Sequence, residues 1–234
     1  MNSIGIIGST GFVGSTIRQH FDFNLFYGRN NSNQLINQRF DLLVCAAPTG
    51  NRIEVQNNCI IDLESTLYLI DHLRKAKPDY FVLIGTVDAV AKPNSRYGLN
   101  RKILEGWVKS NLTNYSIIRL PILIHPNLKK NILFDIKNNL YTEKINLDTV
   151  NQYYDLTKLH QDIKYAIKNK IKELNLVSEP ISNREIIENF PPQSIIGQTP
   201  GPVQYYNIEP YHSSKQEIFE SMRKYFNEHP VHLW

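Results

Sequence analysis

The chain reads as an α/β protein, a doubly wound parallel sheet with one βα unit reduced and a small C-terminal lobe. Three observations predict it. Short apolar runs alternate with helical patterns, the mark of parallel strands joined by crossover helices. The chain opens on an apolar run, Ile4, Ile6 and Ile7, that passes through Gly8-Ser9-Thr10-Gly11-Phe12-Val13-Gly14 into a helical pattern continuing to Ile17. Finally, 234 residues at 41% hydrophobic suffice for one good core with a small appended lobe.

The strands are predicted at 3–8, 23–27, 41–47, 80–85, 115–120 and 173–178, and the helices between them at 12–21, 55–76, 98–110 and 156–169. In the second helix Ile60, Ile61, Leu63, Leu67, Leu69 and Ile70 are expected to form the buried face, and in the third Leu99, Ile103, Leu104 and Trp107. Only about a dozen residues separate the second strand from the third, too few for two crossovers, so one βα unit is reduced. Beyond residue 120 the pattern weakens: segments 126–150 and 179–204 are rich in Asn, Lys and Pro, and a strand at 203–208 and a helix at 215–227 follow.

Composition excludes several classes. No apolar run approaches the ~20 residues of a membrane span. No basic segment followed by an apolar stretch opens the chain, so export is not expected. Cys45 and Cys59 are the only cysteines, which suits a reducing cytoplasm, and Cys45 reads as a small core residue. The net charge of +4 is mild and dispersed. It is compatible with a phosphorylated ligand, whereas nucleic-acid binding calls for a clustered basic face. The nearest approaches to one are Lys129-Lys130 and the Lys164 to Lys172 region, the latter the solvated side of a helix. Seven histidines, His229 and His232 among them, show no metal-ligand spacing.

A strand, a glycine turn and a helix N-terminus together suit a pyrophosphate: N–H groups point outward, the helix dipole favours negative charge, and glycine admits close approach. Gly8, Gly11 and Gly14 are spaced G-x-x-G-x-x-G rather than the G-x-G-x-x-G of the common dinucleotide fingerprint. About twenty residues on, where an acid would bind the adenosine ribose, the second strand ends in Tyr27-Gly28-Arg29. An Arg there pairs with a 2′-phosphate, so Arg29 tilts the expectation from NAD towards NADP.

Thr86 follows a buried strand, where ligands bind in open α/β sheets, and Tyr97 begins the next helix with Arg101 one turn on. With the glycine triplet, Ala46-Ala47 ending a middle strand and Arg119-Leu120-Pro121 closing a later one, these residues resemble the extended short-chain dehydrogenase/reductase superfamily, in its NAD-dependent epimerase/dehydratase branch acting on nucleotide sugars. The resemblance covers residues 1 to 125, with a weaker echo in Tyr154-Asp155-Leu156. It implies a Rossmann-like dinucleotide-binding core at 1–125. Residues 126–234 then complete the sheet and form a small substrate lobe.

The resemblance further implies roles. Gly8, Thr10, Gly11, Phe12, Val13 and Gly14 hold the pyrophosphate, Ala46-Ala47-Pro48 lie along the adenosine and ribose, and Pro121 neighbours the nicotinamide. Tyr97 is the acid/base, Thr86 bonds the same substrate oxygen, and Arg101 stands where the family has the Lys that binds the nicotinamide ribose and depresses the Tyr pKa. A free Tyr titrates near 10, so it needs nearby positive charge to act as a base near neutrality. Arg keeps the charge and forks onto paired hydroxyls, but its geometry differs from an ammonium. Lys102 points about 100° away around the helix. Ile122 replaces an Asn frequent after a similar Arg-x-x run. Val87, not an acid, follows Thr86, with Asp88 one further on, so reduction or epimerisation is favoured over elimination.

The sequence thus predicts an NAD(P)-dependent reductase or epimerase of a nucleotide-linked sugar, without nucleic-acid or membrane partners and compatible with a homodimer. A dinucleotide-binding, redox-sensing protein without turnover is the alternative.

Overall fold

A computed structural model of the chain describes residues 3–227. In chain order the elements are β1 (Ile4–Ile7), α1 (Phe12–Arg18), β2 (Leu25–Tyr27), β3 (Arg39–Phe40), β4 (Leu42–Cys45), α2 (Arg52–Asn57), α3 (Cys59–Leu73), β5 (Lys77–Pro78), β6 (Phe81–Thr86), α4 (Asp88–Ala91), α5 (Arg96–Asn111) and β7 (Tyr115–Leu120). There follow β8 (Ile122–Ile124), α6 (Ile132–Asn138), β9 (Val150–Asn151), β10 (Tyr153–Asp155), α7 (Leu159–Lys168), β11 (Glu173–Asn175), β12 (Ile181–Ser182), α8 (Asn183–Asn189) and α9 (Lys215–Asn227).

The chain divides into two compact units. One runs to Leu120 and takes back Thr157–Leu174; the other holds Pro121–Leu156 and the chain from Asn175 on. All six predicted central strands form one sheet in the order β11-β7-β6-β4-β1-β2, with β2/β1, β1/β4, β4/β6 and β6/β7 paired in parallel. Between β2 and β4 stand only a 3₁₀ turn at Ser32–Leu35 and the two-residue β3, which is the expected reduced unit. β4, β6 and β7 are apolar almost throughout because both faces of a parallel sheet are covered. Their core includes Ile7, Leu43, Phe81, Leu83, Leu104 and Ile117.

Three helical expectations are corrected. The predicted 55–76 helix breaks at Asn58, whose φ of −130° and ψ of 50° are not helical. The buried stripe of α3 is Asp62, Thr66, Leu69, Ile70, His72 and Leu73, while Ile60, Ile61 and Leu67 are exposed. Polar partners across the helix, described below, draw Asp62 inward and rotate the apolar residues out. On α5, Leu104 is buried and Ile103 and Trp107 pack against the core, but Leu99 is exposed.

A single buried cation ties α5 to two strands. Arg119 on β7 donates from Nε to Glu105 Oε1 at 2.9 Å and from Nη2 to Glu105 Oε2 at 2.7 Å. It also reaches Glu173 on β11 at 2.6 Å, and Glu173 in turn pairs with Lys109 at 2.7 Å. Burial would raise the Glu173 pKa, but the hydrogen bonds from Lys109 and Arg119 outweigh it and hold the carboxyl below its ordinary value.

In the second unit Leu133, Ile136, Tyr153, Ile181, Ile186 and Met222 form a separate core. Helix α9 matches its predicted span. The strand predicted at 203–208 is reduced to one bridge, Tyr205 to Val150. Side chains take the ladder donors instead: Gln204 N donates to Thr149 Oγ1 and Ile208 N to Gln152 Oε1. Helices α6 and α8 lie in segments where no element was predicted; Ser182 and Glu185 form a capping box at the start of α8.

Removing Glu105 leaves Arg119 buried with only its half-exposed partner. Glu105→Ala is expected to cost about 3 kcal/mol in urea denaturation and Glu173→Ala about 1 kcal/mol; equal small losses would contradict this ranking.

Candidate functional site

The glycine turn is built as the sequence predicts. Gly8 has φ +85°, and a Cβ there would lie 2.7 Å from Ala47 Cα and 2.8 Å from Ala46 O. Position 8 therefore requires glycine twice, for conformation and for the approach of the chain leaving β4. A Cβ on Gly14 would stand 2.1 Å from Gly8 O, so only glycine lets α1 sit against the turn. Gly11 is the N-cap residue, and Ser15 N closes the first helical turn on Gly11 O at 2.8 Å.

Gly8–Gly14, Arg29, Ala46-Ala47-Pro48 and Thr86 all lie at or just past the C-terminal ends of β1, β2, β4 and β6, four adjacent strands of the sheet. This is the edge where open parallel sheets bind ligands, with the connections diverging on either side of β1. Phe12 and Arg29 are exposed, and Thr10 and Val13 share the rim. Pro121 is the first residue of the second unit. Cys45, under this edge, is wholly buried and its thiol is pushed up to about 12 by burial, an inert core residue as expected.

Helix α5 begins with Ser95 as its cap, the hydroxyl accepting from Gly98 N at 3.0 Å, and this fixes Tyr97 in the first turn. Tyr97 and Arg101 are brought together, with the Arg101 guanidinium carbon 4.7 Å from the centre of the Tyr97 ring. Lys102 points to solvent. Thr86 Oγ1 accepts from Asp88 N at 3.3 Å. Asp88 is buried at the start of α4 and paired with Arg52 on α2 through two bonds of 2.5 and 2.7 Å.

Arg101 itself is 3% exposed and deeply engaged. Its Nη1 donates to Asp62 Oδ2 at 3.0 Å, and its Nη2 donates to Asp62 Oδ1 and to Thr49 O, both at 2.8 Å. Asn100 Nδ2 adds a bond of 2.7 Å to the same carboxylate. Arg101 Nε is buried without a hydrogen-bond partner. Burial raises the Tyr97 pKa and Asp88 adds to it, while the charge and hydrogen bonding of Arg101 and the charge of Arg52 pull it down; the balance lies above the ordinary value.

Sequence reasoning missed Asp62, Asn100 and Arg52. Asp62 carried a signal: it stands at helical spacing with Thr66, Leu69, Ile70 and Leu73, in line with a buried apolar stripe. Among the described residues no group of three or more His, Cys, Asp or Glu is placed to hold a metal, and no helix is long and apolar enough to cross a membrane. His229 and His232 lie outside the described residues.

The glycine cradle, where a Cβ on Gly8 or Gly14 would strike backbone, fits a dinucleotide's pyrophosphate along this edge. No protein-family model and no curated protein matches the chain. Solved structures do. A dTDP-4-dehydrorhamnose reductase from Yersinia enterocolitica is 16% identical, with a TM-score of 0.69 over 97% of this chain and 99% of the other. A UDP-glucuronic acid 4-epimerase from Bacillus cereus, solved with a fluorinated UDP-glucuronic acid and NAD, is 14% identical with a TM-score of 0.68 over 96% and 98%. A UDP-glucose 4-epimerase from Thermotoga maritima, solved with UDP-glucose, is 12% identical with a TM-score of 0.64 over 92% and 89%. The chain thus shares its Rossmann-like α/β fold with these solved structures.

Proposed function

We propose that the protein is an NAD(P)-dependent oxidoreductase or epimerase acting on a nucleotide-linked sugar. The observation that carries this reading is the placement of a glycine turn, shaped to admit a phosphate, and of the Tyr97–Arg101 pair in one unit built on one sheet. The turn from Gly8 to Gly14 would hold the pyrophosphate, and Ala46-Ala47-Pro48 the adenosine side. When bound, the nicotinamide supplies or accepts a hydride at a sugar carbon. Tyr97 Oη holds the proton exchanged with the adjoining substrate oxygen, Thr86 Oγ1 hydrogen-bonds that oxygen, and Arg101 supplies the positive charge beside the phenol. Because Tyr97 is held above its ordinary pKa, its hydroxyl keeps its proton through neutral pH. That suits a donor, and therefore reduction.

A second reading, a dinucleotide-binding protein without turnover, draws on one observation: both terminal nitrogens of Arg101 are already occupied by protein acceptors. Cofactor preference is the finer point. Exposed Arg29, with no acid at the end of β2, favours NADP. The exposed Ile60, Ile61, Leu67 and Tyr68 of α3 would be covered in a homodimer, and the two free thiols suit a reducing cytoplasm.

Three outcomes follow. Tyr97→Phe should abolish NAD(P)H oxidation with a panel of UDP- and dTDP-keto sugars while dinucleotide affinity stays within about threefold; binding without turnover in the native chain supports the second reading, and no dinucleotide binding overturns both. The native rate of reduction should be flat from about pH 7 to 9 and fall only as Tyr97 loses its proton above about 10. Arg29→Ala should weaken NADPH about tenfold and leave NADH unchanged, and equal losses would remove the NADP preference.

A further inference from the structure

Strand β2 is only three residues long, and the reduced unit after it supplies a 3₁₀ turn at Ser32–Leu35 in place of a helix. The chain between them is fixed by one side chain. Asn31 Oδ1 accepts from Gly28 N at 2.7 Å, Asn31 Nδ2 donates to Phe26 O at 2.9 Å, and Asn31 N closes the turn on Gly28 O at 3.3 Å. Asn31 therefore holds the peptide units on both sides of Tyr27, where local side-chain bonds replace a longer ladder. Arg29 and Asn30 form the tip of this turn. Both are exposed, and neither gives its backbone N–H or its side chain to an acceptor among the described residues. The tip stands beside the glycine turn. Gly8 N donates to Tyr27 O at 2.9 Å, and Ile7 lies opposite Tyr27 in the parallel register. The two turns are thus one strand spacing apart, about 5 Å. A Cβ built on Gly28 meets nothing within 4 Å, so the space over that position is open.

We propose that Asn31 is a positioning residue that pre-forms the 28–31 turn as a seat for a second anion beside the glycine turn, the 2′-phosphate of an adenine dinucleotide. The donors of the seat are the Arg29 guanidinium and the backbone N–H groups of Arg29 and Asn30. This rests on the dinucleotide reading and adds to it the residue that makes the seat rigid. An Arg on an unfixed loop loses part of its attraction for a phosphate to ordering that loop, whereas here three hydrogen bonds order it before any ligand arrives. A guanidinium and nearby amides suit a phosphate, which offers several oxygens to a set of donors. The choice of Asn over Asp at position 31 points the same way. An Asp would still accept from Gly28 N, but it could not donate to Phe26 O, and its negative charge would oppose a phosphate at the tip.

The test is a fluorescence titration of NADPH and of NADH against the native chain, Asn31→Ala, Arg29→Ala and the double variant. Asn31→Ala should weaken NADPH about fivefold and leave NADH within about twofold, a split that general loosening of the fold would not produce. In the Arg29→Ala background the same substitution should cost NADPH only about twofold or less, because its main object of positioning is gone. Unchanged NADPH affinity in folded Asn31→Ala, equal losses of both dinucleotides, a loss undiminished without Arg29, or a native chain that holds NADH more tightly than NADPH would each overturn the proposal and leave the dinucleotide reading standing. A native chain that binds neither dinucleotide overturns both. Should Asn31→Ala fail to fold, the amide resonances of the native chain decide instead. Those of Arg29 and Asn30 should move further with NADP⁺ than with NAD⁺, and equal movement or none overturns the proposal.

Discussion

The contact between Asp62 and Arg101 governs the arrangement of the candidate site. Two opposite charges, each almost wholly removed from water, face each other through two hydrogen bonds across α3 and α5. Burying such a pair costs several kcal/mol per ion before attraction is counted, so it persists only where its remaining hydrogen-bonding capacity is met. Asn100 and the Thr49 carbonyl meet most of it. The pair therefore does more to choose a geometry than to stabilise the fold. It turns α3 so that a carboxylate faces inward and three large apolar residues face out, and it holds the tyrosine helix in register with the loop after β4.

Helix α5 is fastened at a second level. Glu105, four residues beyond Arg101, meets the buried Arg119 of β7, which also reaches Glu173 of β11. One face of α5 thus carries Tyr97, Arg101 and Glu105 in successive turns, Tyr97 against Arg101 of its own helix and the other two paired with charges on α3 and β7. A side chain required to keep one distance from a reacting atom gains from such a support, because the helix can neither rotate nor slide without breaking buried charge contacts. Together with the close seat of Gly14 on Gly8 O, this gives two rigid parts on a single sheet: a phosphate-sized cradle and a phenol beside a fixed cation.

Much of the architecture was legible because parallel strands buried on both faces are nearly continuous apolar runs, and each of the six central runs became a strand. The glycine turn was legible for a similar reason: a positive φ and two backbone approaches leave no alternative residue at positions 8 and 14. The buried face of α3 was not. Apolar residues occupy more than one side of that helix, and the tie is broken by Asn100 and Arg101, some forty residues further along and silent in any local periodicity. Likewise the segment around Tyr205 has strand composition, but Thr149 and Gln152 intercept its backbone donors. The start of α8 could have been found, since Ser182 followed by Glu185 is a capping box in plain sequence. What no sequence pattern conveys is that Arg101 is already engaged, because its acceptor lies on another helix.

The central claim is that one edge of the sheet binds a dinucleotide while the Asp62–Arg101 pair stays closed beside Tyr97. A crystal structure of the protein with NADP⁺ or NAD⁺ tests it most directly. The account predicts pyrophosphate density against the Gly8–Gly14 turn with Arg101 still within hydrogen-bonding distance of Asp62. Density elsewhere, or Arg101 swung off Asp62 onto the ribose, would contradict it.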